Sequence, residues 1–133
     1  MTRPKHLWQV RVYYEDTDHG GVVYHANYLK YMDRARTEML RAAGIELGAL
    51  EKNEGLLFAV TRVSIRYNQP ARFNDLLAVE STIMEIKGVR IGFHQSIRND
   101  SLSLAEADIE VACMNRHGSP TRIPGQVTKK FRG

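Results

Sequence analysis

The sequence predicts an α+β fold in which a curved antiparallel sheet of about five strands covers one long helix. Apolar residues recur at helical spacing between positions 28 and 43, whereas they alternate with polar residues before position 14 and after position 62. The connections between the later alternating segments are short, which favours an antiparallel meander because parallel crossovers need a dozen or more residues. A helix and a sheet of this kind pack as two layers round one core.

The first strand is predicted from Trp8 to Tyr14, where apolar and polar side chains alternate. The helix follows a polar, glycine-containing segment and is expected to end before Gly44, a residue suited to the left-handed position after a helix. Its charged residues lie on the side opposite the apolar stripe. That stripe consists of Tyr28, Tyr31, Met32, Ala35, Met39, Ala42 and Ala43.

After an expected loop at residues 45–55, alternation predicts four more strands. The first starts near Arg62 and is closed by Pro70, and the last runs from Ala105 to Cys113. The basic tail, residues 120–133, is expected to add a short strand or a helical turn. No linker or internal repeat occurs, so residues 1–133 are predicted to form a single domain. An open sheet has edges that need protection, and pairing them between subunits predicts a homodimer.

Composition excludes several classes of protein. The net charge of +4 and the pI near 9.4 come without a basic run interleaved with aromatics, so no nucleic-acid partner is expected. The start of the chain lacks an apolar signal-peptide segment, and the longest apolar run, residues 56–60, is too short for a transmembrane segment. The only cysteine, Cys113, excludes an internal disulfide and fits a soluble cytoplasmic protein; it is expected in the core of its strand.

Residues 14–28 are the candidate functional segment, because they combine acids, two histidines and a Gly-Gly pair between the first strand and the helix. Acids and histidines are costly to bury, so a segment this polar seldom serves packing alone. Asp18 is ionised at its usual pKa of about 3.9 and is a candidate nucleophile or general base. The alternative is that Asp16 or Asp18 merely caps a turn.

His25 is predicted near the start of the helix, where its backbone N–H is unpaired and its ring faces the substrate or the carboxylate. A carboxylate and an amide donor are what attack on an acyl group requires. The alternative for its ring is a structural role. A metal site is disfavoured: Asp16–Gly20 begins like a calcium loop, but Asn27 stands where the bidentate Glu belongs. We therefore expect no metal and no cofactor.

The run from Val10 to Tyr28, which contains Asp16-Thr17-Asp18-His19-Gly20-Gly21, resembles the signature of the 4-hydroxybenzoyl-CoA thioesterase family. The match is closest to the YbgC-type acyl-CoA thioesterases associated with the Tol–Pal envelope system. The stretches 31–38 and 68–71 also resemble that family, so the likeness covers almost the whole chain.

The resemblance implies a hotdog fold, a homodimer formed by strand pairing and often a homotetramer. It also implies catalysis by Asp18, an oxyanion-binding backbone amide at His25, and a tyrosine that matches Tyr14. The Tyr24-His25-Ala26 sequence differs from that of the benzoyl-CoA enzymes, which favours an aliphatic acyl-CoA substrate.

Lys87 and Arg90 flank the Gly88 hairpin and are candidates for binding the coenzyme A phosphates, although they also suit a solvated hairpin tip. An acyl carrier protein is the alternative to coenzyme A as the carrier of the acyl group. A second class of function, a non-catalytic acyl-CoA-binding protein that uses the same cleft, is disfavoured because the acid, the histidine and the glycine turn occur together.

Overall fold

The computed structural model describes residues 3–132 and consists of one five-stranded antiparallel sheet with three helices. Within that range, no helix is long and apolar enough to cross a membrane. A short 3₁₀ turn, Tyr14–Asp16, follows the first strand. The strands are β1 (Lys5–Arg11), β2 (Leu57–Tyr67), β3 (Leu76–Lys87), β4 (Arg90–Asn99) and β5 (Leu102–Met114). The helices are α1 (His25–Ala42), α2 (Leu47–Glu54) and α3 (Gly125–Arg132).

The strand order is β1-β3-β4-β5-β2. The hairpin-connected strands β3, β4 and β5 form the meander that their short connections predict. The meander prediction is wrong for β2, which pairs with β5 and not with β3. Residues 68–75 carry the chain from β2, at one edge of the sheet, past β5 and β4 to β3. They are therefore a crossing connection and not a hairpin. Both β1 and β2 are edge strands.

Helix α1 lies on one face of the sheet and packs against β1 and β3. Its predicted apolar stripe is buried as far as Met39, and Leu40 joins it. Gly44 has a φ of +83°, the left-handed conformation expected of the residue that ends a helix. The inner face of the sheet supplies most of the remaining core, including Cys113 as predicted, and α2, α3 and the connecting segments supply the rest.

Because α1 sits towards the β1 side, it leaves the inner face of β2 uncovered. Val60 and Val63 on this face are 48% and 40% exposed. A groove therefore runs between α1 and the edge strand β2, and we call it the α1–β2 groove. It opens beside His25 at one end and reaches Leu40 of α1 at the other.

Three elements differ from the sequence predictions, whereas the tail adopts the helical form that was one of its two expected structures. Residues 47–54 form a helix and not a loop, and β1 ends at Arg11, three residues before Tyr14. Strand β2 begins at Leu57, because the apolar run at residues 56–60 belongs to it. The tail forms the helix α3, while Met1, Thr2 and Gly133 lie outside the described residues.

Candidate active site

The polar segment between β1 and α1 folds into a small hairpin. Thr17 and Val23 form an isolated antiparallel bridge, and the Asp18 N–H donates to the Val22 carbonyl at 2.8 Å. The Gly21 N–H then donates to the Asp18 carbonyl at 3.1 Å, closing the turn. Gly21 has a φ of +82°, which other residues adopt with strain, so the Gly-Gly pair serves this turn.

Asp16 attaches the hairpin to α1. Its carboxylate accepts the Tyr13 N–H at 2.9 Å, and its carbonyl accepts the Tyr24 N–H at 2.9 Å and the Asn27 side-chain amide at 2.8 Å. Burial and then the neighbouring Asp16 carboxylate raise the pKa of Tyr31 in α1. Asp16 is therefore a structural cap, the alternative that the sequence left open.

Asp18 is exposed at the start of the turn. Its Oδ1 accepts the Gly20 N–H at 2.8 Å, which is a capping interaction. Within residues 3–132, no hydrogen bond is made to its Oδ2. Because a carboxylate accepts several hydrogen bonds, the cap holds the side chain in place and leaves one oxygen for chemistry.

Helix α1 begins at His25, directly after the hairpin. Tyr24 precedes it with extended backbone (φ −61°, ψ 131°) and provides no side-chain cap, and the first turn contains no acid. The Asn27 N–H donates to the Tyr24 carbonyl at 2.8 Å, whereas the His25 N–H has no hydrogen-bond acceptor among residues 3–132. Within residues 3–132, the positive end of the helix therefore has no acidic side chain in its first turn and no acceptor for the His25 N–H.

A cleft of about 270 Å³ adjoins this helix end. The Tyr67 hydroxyl donates to the His25 carbonyl at 3.1 Å, which joins β2 to the start of α1. The Tyr28 hydroxyl accepts the Ala71 N–H at 2.9 Å, and burial raises the pKa of Tyr28. The cleft is lined by Val23, His25, Tyr28, Tyr67, Asn68, Gln69 and Pro70.

The structure does not bring Tyr14 to the other site residues. Its ring is 75% exposed and stacks on Phe73, with 3.8 Å between ring centroids and an angle of 4°. The His25 ring instead contacts Tyr24, at 4.5 Å between centroids, and meets Tyr67 edge-on at 6.2 Å. Within residues 3–132, no hydrogen bond joins the Tyr14 side chain to Asp18 or His25.

Lys87 and Arg90 lie opposite each other at the tip of the β3–β4 hairpin, and the Arg90 guanidinium binds Glu110 at 2.6 Å. The hairpin that holds Asp18 is joined to the chain beside the other end of β3, where the Val12 N–H donates to the Asp75 carbonyl. Leu76 and Lys87 are eleven residue rises apart along β3, or about 36 Å. Within one chain, Lys87 and Arg90 therefore lie at the end of β3 opposite to the hairpin that holds Asp18.

The described part of the chain contains no group of three or more His, Cys, Asp or Glu side chains arranged to hold a metal ion. Burial raises the pKa of the Cys113 thiol, which disfavours the reactive thiolate. The titratable groups described above beside the start of α1 are those of the hairpin, His25 and the tyrosines of the cleft.

Comparison with known proteins identifies the family. Residues 12–131 match the family model described as the thioesterase-like superfamily. This chain belongs to that superfamily. It is 43% identical to the acyl-CoA thioesterase YbgC of Haemophilus influenzae, over 92% of this chain and 90% of the relative. It is 40% identical to the acyl-CoA thioester hydrolase YbgC of Escherichia coli O6:H1, over 94% of each chain.

Solved structures agree with the family. A probable thioesterase from Bartonella henselae is 38% identical and superposes with a TM-score of 0.88, over 91% of this chain and 100% of the other. A 1,4-dihydroxy-2-naphthoyl-CoA thioesterase from Synechocystis has a TM-score of 0.90 at 22% identity, over 97% and 96% of the two chains, and supports the fold alone. The resemblance to YbgC-type thioesterases, the hotdog fold and the prediction of a thioester hydrolase are confirmed.

Proposed function

We propose that this chain is a single hotdog domain that hydrolyses an aliphatic acyl-CoA thioester to a free acid and coenzyme A, without a cofactor or a metal. The observation that carries the proposal is the uncapped start of α1, where the His25 N–H opens on a cleft directly after the hairpin that presents Asp18. Its YbgC relatives, named as acyl-CoA thioesterases, support the same substrate class.

In the proposed reaction, the thioester carbonyl oxygen accepts the His25 N–H at the positive end of α1. Asp18 attacks the carbonyl carbon, or takes a proton from a water that does so, and the resulting oxyanion is held by the same N–H. The oxyanion then collapses, the C–S bond breaks, and coenzyme A leaves as a thiolate that takes up a proton. If Asp18 attacks directly, water hydrolyses the acyl–Asp18 anhydride. One preorganised donor of this kind contributes about 3 to 4 kcal/mol.

The His25 ring lies beside Tyr24 and Tyr67, and we propose that it contacts the thioester or the Asp18 carboxylate. Tyr14 is proposed to take part only after its ring leaves the stack on Phe73, or when substrate binds against the exposed face of that stack.

The lining of the α1–β2 groove supports the proposal that the acyl group is aliphatic. Along α1, His25 and Leu40 lie about 22 Å apart, and Tyr67 and Val60 are separated by about 23 Å along β2. We propose that α1 and β2 form the two walls of an acyl site that runs from the cleft to a cavity of about 70 Å³ at the far end. Most of the side chains round this cavity are apolar, and they include Leu40, Leu47, Phe58, Val60, Phe93 and Val111.

The proposed active unit is a homodimer, paired again into a homotetramer. The exposed edge of β2 needs a strand to pair with, and its exposed apolar face needs a surface to pack against. A second sheet joined at this edge supplies both the strand and the surface. Lys87 and Arg90 lie at the end of β3 opposite to the Asp18 hairpin, and we propose that a second copy provides them to the coenzyme A phosphates. A cytoplasmic location, an acyl carrier protein substrate and a link to Tol–Pal remain predictions.

The role of Asp18 is tested by Asp18→Asn, with Asp100→Asn as the matched control. Asp100 is also exposed in a turn, between β4 and β5, and has a φ of +54° that asparagine tolerates. We expect Asp18→Asn to lower turnover of an acyl-CoA at least about a hundredfold with little change in the melting temperature, and Asp100→Asn to retain it. Wild-type turnover by Asp18→Asn would show that Asp18 is only a cap.

A further inference from the structure

A buried cluster of three polar side chains lies beneath α1, in a core that is mostly apolar. Ser81 of β3 and Gln95 of β4 face each other across the two strands and are both 0% exposed. Arg36 of α1 is 8% exposed and reaches the same point. Burying a guanidinium and an amide is costly unless they are hydrogen-bonded, so their contacts carry information about what the cluster does.

Gln95 connects the sheet to one turn of α1 in two ways. Its Nε2 donates to the Met32 carbonyl at 2.9 Å, and its Oε1 accepts Nη1 of Arg36 at 2.9 Å. The remaining Nε2 hydrogen donates to Ser81 Oγ at 2.8 Å. Met32 and Arg36 are four residues apart, so the Gln95 side chain is hydrogen-bonded to both ends of one helical turn.

Apolar packing alone would leave the position of α1 poorly defined along its axis, because the hydrophobic effect is not directional. Moving a helix by one residue shifts it by about 1.5 Å along its axis. Catalytic groups need placement to within about 0.5 Å. The His25 N–H lies seven residues before Met32, about 10 Å along a continuous helix, so a position set at Met32 is transmitted to the helix start.

We infer that Gln95 and Arg36 are positioning residues for hydrolysis: their bonds hold α1 at the depth and rotation that place the His25 N–H against the thioester oxygen. This inference rests on the proposed function. It assigns Gln95 no contact with the substrate, whereas Arg36 also lines the cavity of about 70 Å³ at the far end of the α1–β2 groove. Ser81 binds Gln95 without reaching α1, and Asp33 Oδ1 lies 3.3 Å from Nη2 of Arg36 on the exposed side of the helix.

The test compares Gln95→Met with Ser81→Ala on a cleaved acyl-CoA, at a temperature where circular dichroism shows both variants folded. Gln95→Met keeps the side-chain length but removes all three bonds, whereas Ser81→Ala removes only the bond that does not reach α1. We expect Gln95→Met to lower kcat at least about tenfold with KM within about twofold, because misplacement of the amide affects the transition state. Ser81→Ala should keep kcat within about twofold.

Arg36→Met and Arg36→Lys provide a second pair that stays informative if Gln95→Met does not fold. Lysine retains a donor for Gln95 Oε1, so Arg36→Lys should recover part of the kcat that Arg36→Met loses. A wild-type enzyme that cleaves acyl-CoA, with variants that lose stability but keep kcat, would overturn the positioning role alone. A wild-type chain without thioesterase activity would overturn the proposed function, and the positioning role with it.

Discussion

The backbone amide of His25 can be removed with almost no other change to the fold. His25 is the first residue of α1, a position where proline is favoured because the N–H there has no helical partner. Tyr24 already has the extended backbone that a residue before proline requires. Proline also keeps the carbonyl that accepts the Tyr67 hydroxyl. His25→Pro therefore deletes the proposed oxyanion donor and the ring, while His25→Ala deletes only the ring.

We expect kcat of His25→Pro to be about 10²-fold to 10³-fold lower than that of His25→Ala. This factor corresponds to the loss of about 2.7 to 4 kcal/mol that is usual when one oxyanion donor is removed. Turnover is measured by release of free thiol from an acyl-CoA, and the melting temperature verifies that both variants fold alike. If the two variants differ in kcat by less than about threefold, the His25 amide does not stabilise the transition state and the proposed mechanism fails.

Three further predictions concern stability, metals and assembly. Burial raises the pKa of Tyr31, so above pH 10 the unfolded chain loses the hydroxyl proton while the folded chain keeps it. The free energy of unfolding should therefore fall as the pH rises above 10. Tyr31→Phe should lessen that fall, as measured by urea titrations. Activity should survive excess EDTA, and a loss that calcium restores would revive a metal site at Asp16 and Asp18. Dilution to monomers should abolish turnover when sedimentation and activity are measured together, whereas a fully active monomer would contradict the shared site.

The strands with alternating side chains were predictable because one face of each is buried. Strands β3, β4 and β5 show this pattern, and their short connections set the meander. The start of β2 was not predictable, since Leu57–Val60 is an apolar run without alternation. Helix α2 was missed because it buries only Leu50, which is too little for a helical period to appear.

The structure brings the local features of the predicted segment together, whereas several contacts round it were not predicted. The acids, glycines and helix start of residues 14–28 are local features, and the structure places them in one hairpin and one helix end. Tyr67 was missed because its contact with His25 joins residues 42 positions apart. The separation of Lys87 from Asp18 likewise depends on the strand order, which the alternation of side chains does not determine.

Cleavage of acyl-CoA thioesters, as opposed to binding alone, is tested directly by turnover. A panel of acyl-CoAs of increasing chain length, together with 4-hydroxybenzoyl-CoA, should be incubated with the wild-type protein while free thiol is measured. We expect multiple turnovers on the aliphatic members and little on the aromatic one. Binding of the panel, seen as a raised melting temperature, without release of coenzyme A would contradict it and would support the non-catalytic alternative.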